Sequence, residues 1–207
     1  MADVNLAEAR DRVLDAAGRL FYRNGIQAVG MDAIRGEAGI SLKRLYQCYP
    51  GKEDLVIHYL ARRDLHWRRD LTAFVEAADT GGPRALAVFD FLGEWFDTDD
   101  FRGCAFINAF GELSARSERI AQATYTHKRM LHDDLTDFLE LDGIAAAENH
   151  AARLLLLVDG SIVGAATGSN PDAAGDARAA AAVLLADAPR AAPGRAATAD
   201  QSSAPLP

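Results

Sequence analysis

Four consecutive residues, Ala38-Gly39-Ile40-Ser41, constrain this chain's architecture more than any others. Short helical patterns stand on either side of them, at 31–38 and 42–48, and another begins after Pro50-Gly51. Gly39 suits a tight turn because a residue without Cβ reaches positive φ at little steric cost. Ile40 can fill the gap between the two short helices. Ser41 is a good N-cap, its hydroxyl free to accept from an amide one turn later. Together these residues have the anatomy of a helix-turn-helix, whose second helix enters the major groove of DNA.

The remaining pattern is helical as well. Runs of alternating β-branched residues are nearly absent. Apolar residues recur at helical spacing in 7–24, 31–38, 42–48, 52–78, 84–97, 101–115, 118–141, 146–168 and 171–188, about nine helices. These spans predict an all-α fold with a three-helix domain over 1–51 and a second helical domain over 52–188. In the second short helix Ala33, Ile34 and Ala38 are expected to face inward. The helix starting at Lys52 stops at Asp79-Thr80-Gly81-Gly82-Pro83. At 1.5 Å per residue it is roughly 40 Å long, enough to link two domains mechanically. The 101–115 helix is apolar nearly all round and is expected to be buried. From Pro189 onward Pro, Ala, Gly and Ser dominate and no apolar face survives, so 189–207 is expected to be a disordered tail.

The segment around the turn carries a family resemblance. Asn24-Gly25 closes a long first helix, the turn Ala38-Gly39-Ile40-Ser41 follows, and then come Leu45-Tyr46-Gln47-Cys48-Tyr49 and a Lys52-Glu53-Asp54-Leu55 helix start. In this register, over about residues 8–60, the chain resembles the DNA-binding domain of the tetracycline-repressor (TetR) family of bacterial regulators. The resemblance implies an N-terminal helix-turn-helix DNA-binding domain followed by a helical ligand-binding and dimerisation domain.

A net charge of −8 argues at first against a nucleic-acid partner, but the distribution matters more than the sum. Up to residue 52 there are 8 Lys/Arg against 6 Asp/Glu; after it there are 14 against 24. The basic end should face phosphate and the acidic remainder should face away from it. Asp159 interrupts the longest apolar stretch before it reaches about 18 residues, so no membrane span is expected. The N-terminus carries Asp3 and Glu8 and no apolar signal core. Two cysteines, Cys48 and Cys104, make no disulfide framework, and a reducing cytoplasm fits.

On the 42–48 helix the outward positions are Leu42, Lys43, Arg44 and Gln47. Lys and Arg donate to guanine O6/N7, and Gln pairs the edge of adenine. Arg44 and Gln47 lie three apart, on one face. The resemblance adds Tyr46 and Lys52 as phosphate contacts, beside the cap Ser41. It also adds Gly30, a bare amide donor where many relatives carry Thr or Ser. Lys43 stands where a small residue is usual, so the operator is expected to differ from those of typical relatives. A basic pair alone is common on protein surfaces; the turn around it gives this one its weight.

Small-molecule pockets are mostly apolar, with a few polar groups that fix orientation. The candidates are Trp67, Phe89, Trp95, Phe96, Phe106, Phe110 and Tyr125, with Asn108 and His127 as polar groups. Taken singly, each aromatic is more simply read as part of an ordinary core. Leu154, Gly160, Ile162, Gly164, Val183 and Leu184 are candidates for the face that, by the resemblance, joins a second copy in a four-helix interface. A two-fold dimer would set two recognition helices about one DNA turn apart, roughly 34 Å, on a palindrome.

The function implied is a homodimeric repressor of a double-stranded DNA operator, released by a small apolar ligand. Two other readings stand beside it. Cys104, next to Arg102 at an expected helix start, has a setting that lowers a thiol pKa, which allows a redox or electrophile sensor. As a small buried hydrophobe the same residue is ordinary packing. The other reading is a helical enzyme or small-molecule carrier. Against it, no HExxH pattern, nucleophile elbow, phosphate loop or dinucleotide fingerprint occurs. The five histidines show no metal spacing, and no enzyme activity, cofactor or metal is expected.

Overall fold

The computed structural model describes residues 5–78 and 82–190. Among the described residues every regular element is helical. α1 (Leu6–Asn24) starts at Asn5, whose Oδ1 accepts from the Glu8 amide at 2.9 Å, and stops at Gly25 with φ 82°. Its stripe of Ala9, Val13, Ala16, Ala17 and Phe21 is buried against α2 (Met31–Ala38) and α3 (Leu42–Cys48). Ile34 from α2 and Leu45 from α3 are the fully buried contributions of the two short helices. Ala33 is exposed, not inward: a helix of eight residues has room for one buried line, and Ile34 and Ala38 occupy it.

In the turn between α2 and α3 the amides of Gly39 and Ile40 are both partnered. Gly39 adopts φ 65°, its N–H returns to the Gly36 carbonyl at 3.2 Å, and the Ile40 N–H returns to Arg35 at 3.1 Å. This is how a helix end with a left-handed glycine satisfies its last carbonyls. Ser41 Oγ then accepts from the Arg44 amide at 3.2 Å. Ser41→Ala is expected to destabilise the chain by about 0.5–2 kcal/mol, measured by thermal or denaturant melting. An unchanged midpoint would mean that water serves that amide equally well.

α4 (Lys52–Ala77) packs at its start on α1, where Phe21 and Tyr59 meet edge to face at 5.7 Å. Further along it packs on α5 (Ala87–Phe96) and α7 (Glu118–Leu141). One helix therefore serves both ends of the molecule. The 84–97 helix opens as a single 3-10 turn, Arg84–Leu86, before α5. α6 (Ala105–Leu113) is shorter than 101–115, because Gly103 at φ 81° keeps the preceding residues out of the helix and leaves Cys104 as its N-cap. Nor is α6 buried all round, since Asn108 and Phe110 face outward.

α8 (Ala147–Ala166) and α9 (Ala173–Ala186) lie against each other and close the far side. Pro189 and Arg190 are paired, the Pro189 carbonyl accepting from the Ala145 N–H at 2.8 Å and Arg190 bridging Ile144. The rest of the expected tail, 191–207, and residues 79–81 of the expected helix stop lie outside the described residues. Among the described residues no helix is long and apolar enough to cross a membrane.

Candidate functional site

Burial of Leu45 and Cys48 orients α3 and leaves its opposite face in solvent. That face presents Ser41, Leu42, Lys43, Tyr46 and Gln47, with Arg44 half-buried beside them. Arg44 Nη1 donates to Gln47 Oε1 at 3.3 Å, so the two side chains share one surface. At one flank α2 begins at Gly30 with no side-chain cap, so its first amides are unclaimed by any side chain. Such amides favour an anion. Lys52, at the start of α4, donates to the Gln27 carbonyl at 3.4 Å and so leans over the loop that leads to Gly30. Its burial lowers the ammonium pKa, with the Glu112 carboxylate acting the other way.

Behind this surface a compact joint ties it to the rest of the molecule. The Glu112 carboxylate, at the end of α6, accepts from the amides of Ile26 at 2.9 Å and Gln27 at 2.7 Å. Gln27 Nε2 donates back to the Glu112 carbonyl at 2.7 Å. At the other end of α6, the Tyr22 hydroxyl donates to the Gly103 carbonyl at 2.9 Å and accepts from the Arg102 amide at 3.0 Å. Arg63 lies over the Tyr22 ring at 4.3 Å. Both ends of one short helix are thus hydrogen-bonded to the last turn of α1 and the loop after it.

The expected pocket residues divide. Trp67, Trp95, Phe106 and His127 meet around a small void of about 20 Å³ that also touches Cys104. Phe106 and His127 stack at 3.8 Å and 5°, and Trp67 meets Trp95 edge to face at 5.7 Å. On the far side of the Phe106–His127 stack, a cleft of about 640 Å³ opens between α4 and α7, lined also by Ile57, Gln122 and Met130. Beyond the Trp67–Trp95 pair lies a second cleft of about 430 Å³. The others sit elsewhere. Phe89 is 1% exposed in the core of α5, and Phe96 packs on Trp95 and Phe101. Asn108 spends its Nδ2 on the Arg102 carbonyl. Phe110 and Tyr125 are 47% and 63% exposed.

Around the void runs a line of polar groups. Cys104 and His127 border the same void, and His127 Nδ1 lies 2.5 Å from Asp64 Oδ1. Arg68 Nη1 lies 3.9 Å from Asp64 and Arg68 grips Asp134 with two contacts of 2.5 Å. Burial alone would raise the Cys104 pKa; the His127 bond, the Lys128 charge and the Ile107 amide reverse this and bring it below the ordinary thiol value. Burial would likewise lower that of His127, and its bonds to Asp64 and Cys104 instead raise it. Asp64 was not singled out from sequence. Its signal is a carboxylate on the apolar line of Leu60, Trp67 and Leu71, as His127 is an imidazole on the line of Ile120, Thr124 and Leu131. Among the described residues no group of three or more His, Cys, Asp and Glu could hold a metal ion.

On the outer side of α8 and α9, Leu156, Val163, Val183 and Leu184 are exposed, and a Cβ added at Gly160 would meet open space. Leu154 and Ile162 point the other way, into the chain's own core, because they share the buried line of Ala151 and Val158. Gly164 is used within the chain too: a Cβ there would meet Asn170 at 3.4 Å and Ala173 at 3.5 Å.

Comparison with known proteins agrees with this geometry. Residues 13–59 match the family described as bacterial regulatory proteins, tetR family. Over 124 residues the chain is 27% identical to the HTH-type transcriptional regulator LmrA of Bacillus subtilis. Over 125 residues it is 30% identical to an uncharacterised HTH-type transcriptional regulator of Mycobacterium tuberculosis. These matches cover 59% and 55% of this chain, and 66% and 58% of the two relatives, so the chain spans less than two thirds of either relative's length. A TetR-family transcriptional regulator from Streptomyces coelicolor has a similar structure, with a TM-score of 0.79 and 28% identity, covering 88% of this chain and 96% of that one. Its helix-turn-helix lies inside the matched segment and its described helices share the fold of that structure, so the chain carries the DNA-binding domain of the TetR family of bacterial regulatory proteins.

Proposed function

We propose that the protein is a cytoplasmic, homodimeric transcriptional repressor that binds a palindromic operator and is released from it by a small apolar ligand. The observation that carries this reading is α3, held by buried Leu45 and Cys48 with Lys43, Tyr46 and Gln47 turned to solvent and Arg44 beside them. In the proposed complex Lys43, Arg44 and Gln47 meet base edges, while Tyr46, Lys52 and the amides after Gly30 meet phosphate. Two copies joined through the outer faces of α8 and α9 would place the α3 helices one DNA turn apart. The ligand enters the cleft between α4 and α7, and release is a population shift. A ligand that prefers a splayed dimer lowers DNA affinity by its own differential affinity for the two states. The Glu112 and Tyr22 contacts support such coupling, since they tie the cleft-lining helices to the loop before α2.

Selection of bound sequences from random DNA tests the reading and supplies the operator. On that operator Arg44→Ala is expected to weaken specific binding by about 1–3 kcal/mol and to relax one base position. An equal loss on operator and random DNA would show that Arg44 contacts phosphate only. No enriched sequence at all would leave the protein without the proposed function.

A further inference from the structure

Cys104 at the N-cap of α6, His127 on α7 and Asp64 on α4 meet in the interior, where operator reading makes no use of them. Cys104 and His127 are each 6% exposed, and the Asp64 side chain 14%. The Asp64 carboxylate only accepts, so His127 Nδ1 carries a hydrogen, and Nε2 is the ring nitrogen left for the thiol. A nucleophile and a base thus border one void, with a carboxylate that orients the base behind them, the set of groups that activates a weak nucleophile. We propose that Cys104, with His127 as its base and Asp64 as the orienting carboxylate, is a covalent capture site for small, flat, uncharged α,β-unsaturated carbonyl compounds.

The surroundings select that class. The void beside Cys104 is walled by Trp67, Trp95 and Phe106, which suits a flat apolar reagent and disfavours a charged one. The Trp67 indole N–H is buried and has no acceptor, which is uncommon for a buried donor and fits a carbonyl oxygen. Lys128, paired with Asp159, and Arg63, which lies over the Tyr22 ring, line the same void. At about 20 Å³ the void holds little more than a water. Entry therefore needs rotation of one aromatic wall, either Phe106 towards the larger cleft or Trp67 and Trp95 towards the smaller one.

The chemistry balances without a further reactant. His127 Nε2 takes the thiol proton, and the thiolate sulfur forms a C–S bond to the β-carbon of the acceptor. The C=C π pair shifts so that the carbonyl oxygen becomes an enolate oxygen, facing the Trp67 N–H and the nearby cations. The imidazolium then returns the proton to the α-carbon. Nothing leaves, nothing is oxidised, and the product is a thioether.

An adduct on Cys104 would lie one residue from the Gly103 carbonyl that accepts from Tyr22 and two from the Arg102 amide that donates to it. Capture would thereby disturb the joint to α1. This last consequence rests on the proposed repressor function; capture itself does not.

Cys48 serves as an internal control, since it is equally buried and burial raises its thiol pKa against the opposing charges of Arg10 and Arg44. The full-length protein is exposed to methyl vinyl ketone and, separately, to iodoacetate, and adducts are located by intact mass and peptide mapping. Methyl vinyl ketone is expected to label Cys104 at least about 100-fold faster than Cys48, and iodoacetate to lose that preference. His127→Gln and Asp64→Asn are each expected to slow Cys104 labelling about 10-fold or more, with Cys48 labelling and the melting temperature reporting that the variant is folded. Labelling of Cys104 no faster than Cys48 in the unaltered protein overturns the proposal, as does a normal Cys104 rate in either folded variant. Operator release is read separately on labelled DNA: an adduct without release counts against the regulatory role and leaves capture standing, whereas release without an adduct overturns capture.

Discussion

If the proposed dimer forms through α8 and α9, Leu156→Asp combined with Val183→Asp is expected to give a folded monomer whose affinity for its operator falls by about 10²–10⁴-fold, the avidity gained when two half-sites are linked. The two side chains are 74% and 76% exposed, so the changes should cost little in the folding of one subunit. Their effect falls on assembly. Each fully buried Leu or Val contributes about 1.5–3 kcal/mol, two-fold symmetry doubles every contact, and carboxylates placed opposite one another repel. Val163 and Leu184 extend the same outer surface, and Gly160 leaves it open to close approach by a second backbone. Sedimentation and titration of operator DNA measure the outcome. A double variant that still sediments as a dimer, with operator affinity intact, would place the interface elsewhere on the molecule.

Glu112→Ala is expected to destabilise the protein by about 2–4 kcal/mol, since it removes an ionised acceptor from two backbone amides at once. The amides are those of Ile26 and Gln27, and the Ile26 one is partly buried. Lys52 would lose the one charge that opposes the lowering of its pKa by burial. Faster hydrogen exchange at Ile26 and Gln27 should accompany the lower melting temperature. If the repressor reading holds, the ligand should also release operator less completely from this variant, because α6 would no longer hold the loop before α2. Glu112→Gln keeps one carbonyl acceptor and should fall between. A melting temperature and exchange rates equal to those of the unaltered chain would mean that water replaces the carboxylate without loss.

The outer face of α8 and the Glu112 joint differ in how far the sequence encodes them. The candidate face on α8 was visible as small residues and apolar runs, but its direction was not. α8 is apolar on more than one side, so its 3.6-residue period could not tell the line of Leu154, Val158 and Ile162 from that of Leu156 and Val163. The first line packs inward because α7 and α9 lie on it. Glu112 carries no signal in the sequence, because an isolated glutamate at the end of a helix normally meets solvent. Its role depends on the Gly25–Gln27 loop arriving within hydrogen-bond reach. The shortened start of α6 has a local cause that is legible in the sequence: Gly103 lies within 101–115, and glycine favours the left-handed φ that ends or delays a helix.

By itself the sequence determined the helix-turn-helix, its caps and turn, the boundaries of α2, α3 and α7, and which side of α3 is wet. Those features are set by interactions between residues three or four apart, through capping bonds, a left-handed glycine and one apolar stripe, and each is complete within a few residues of chain. Only the tertiary structure decided that Cys104 meets His127 and Asp64, that Trp67, Trp95 and Phe106 wall one void, and that Glu112 grips the loop before α2. Each of these joins helices far apart in the chain. Such contacts follow from how the buried stripes pack against one another, and no local spacing rule encodes that packing.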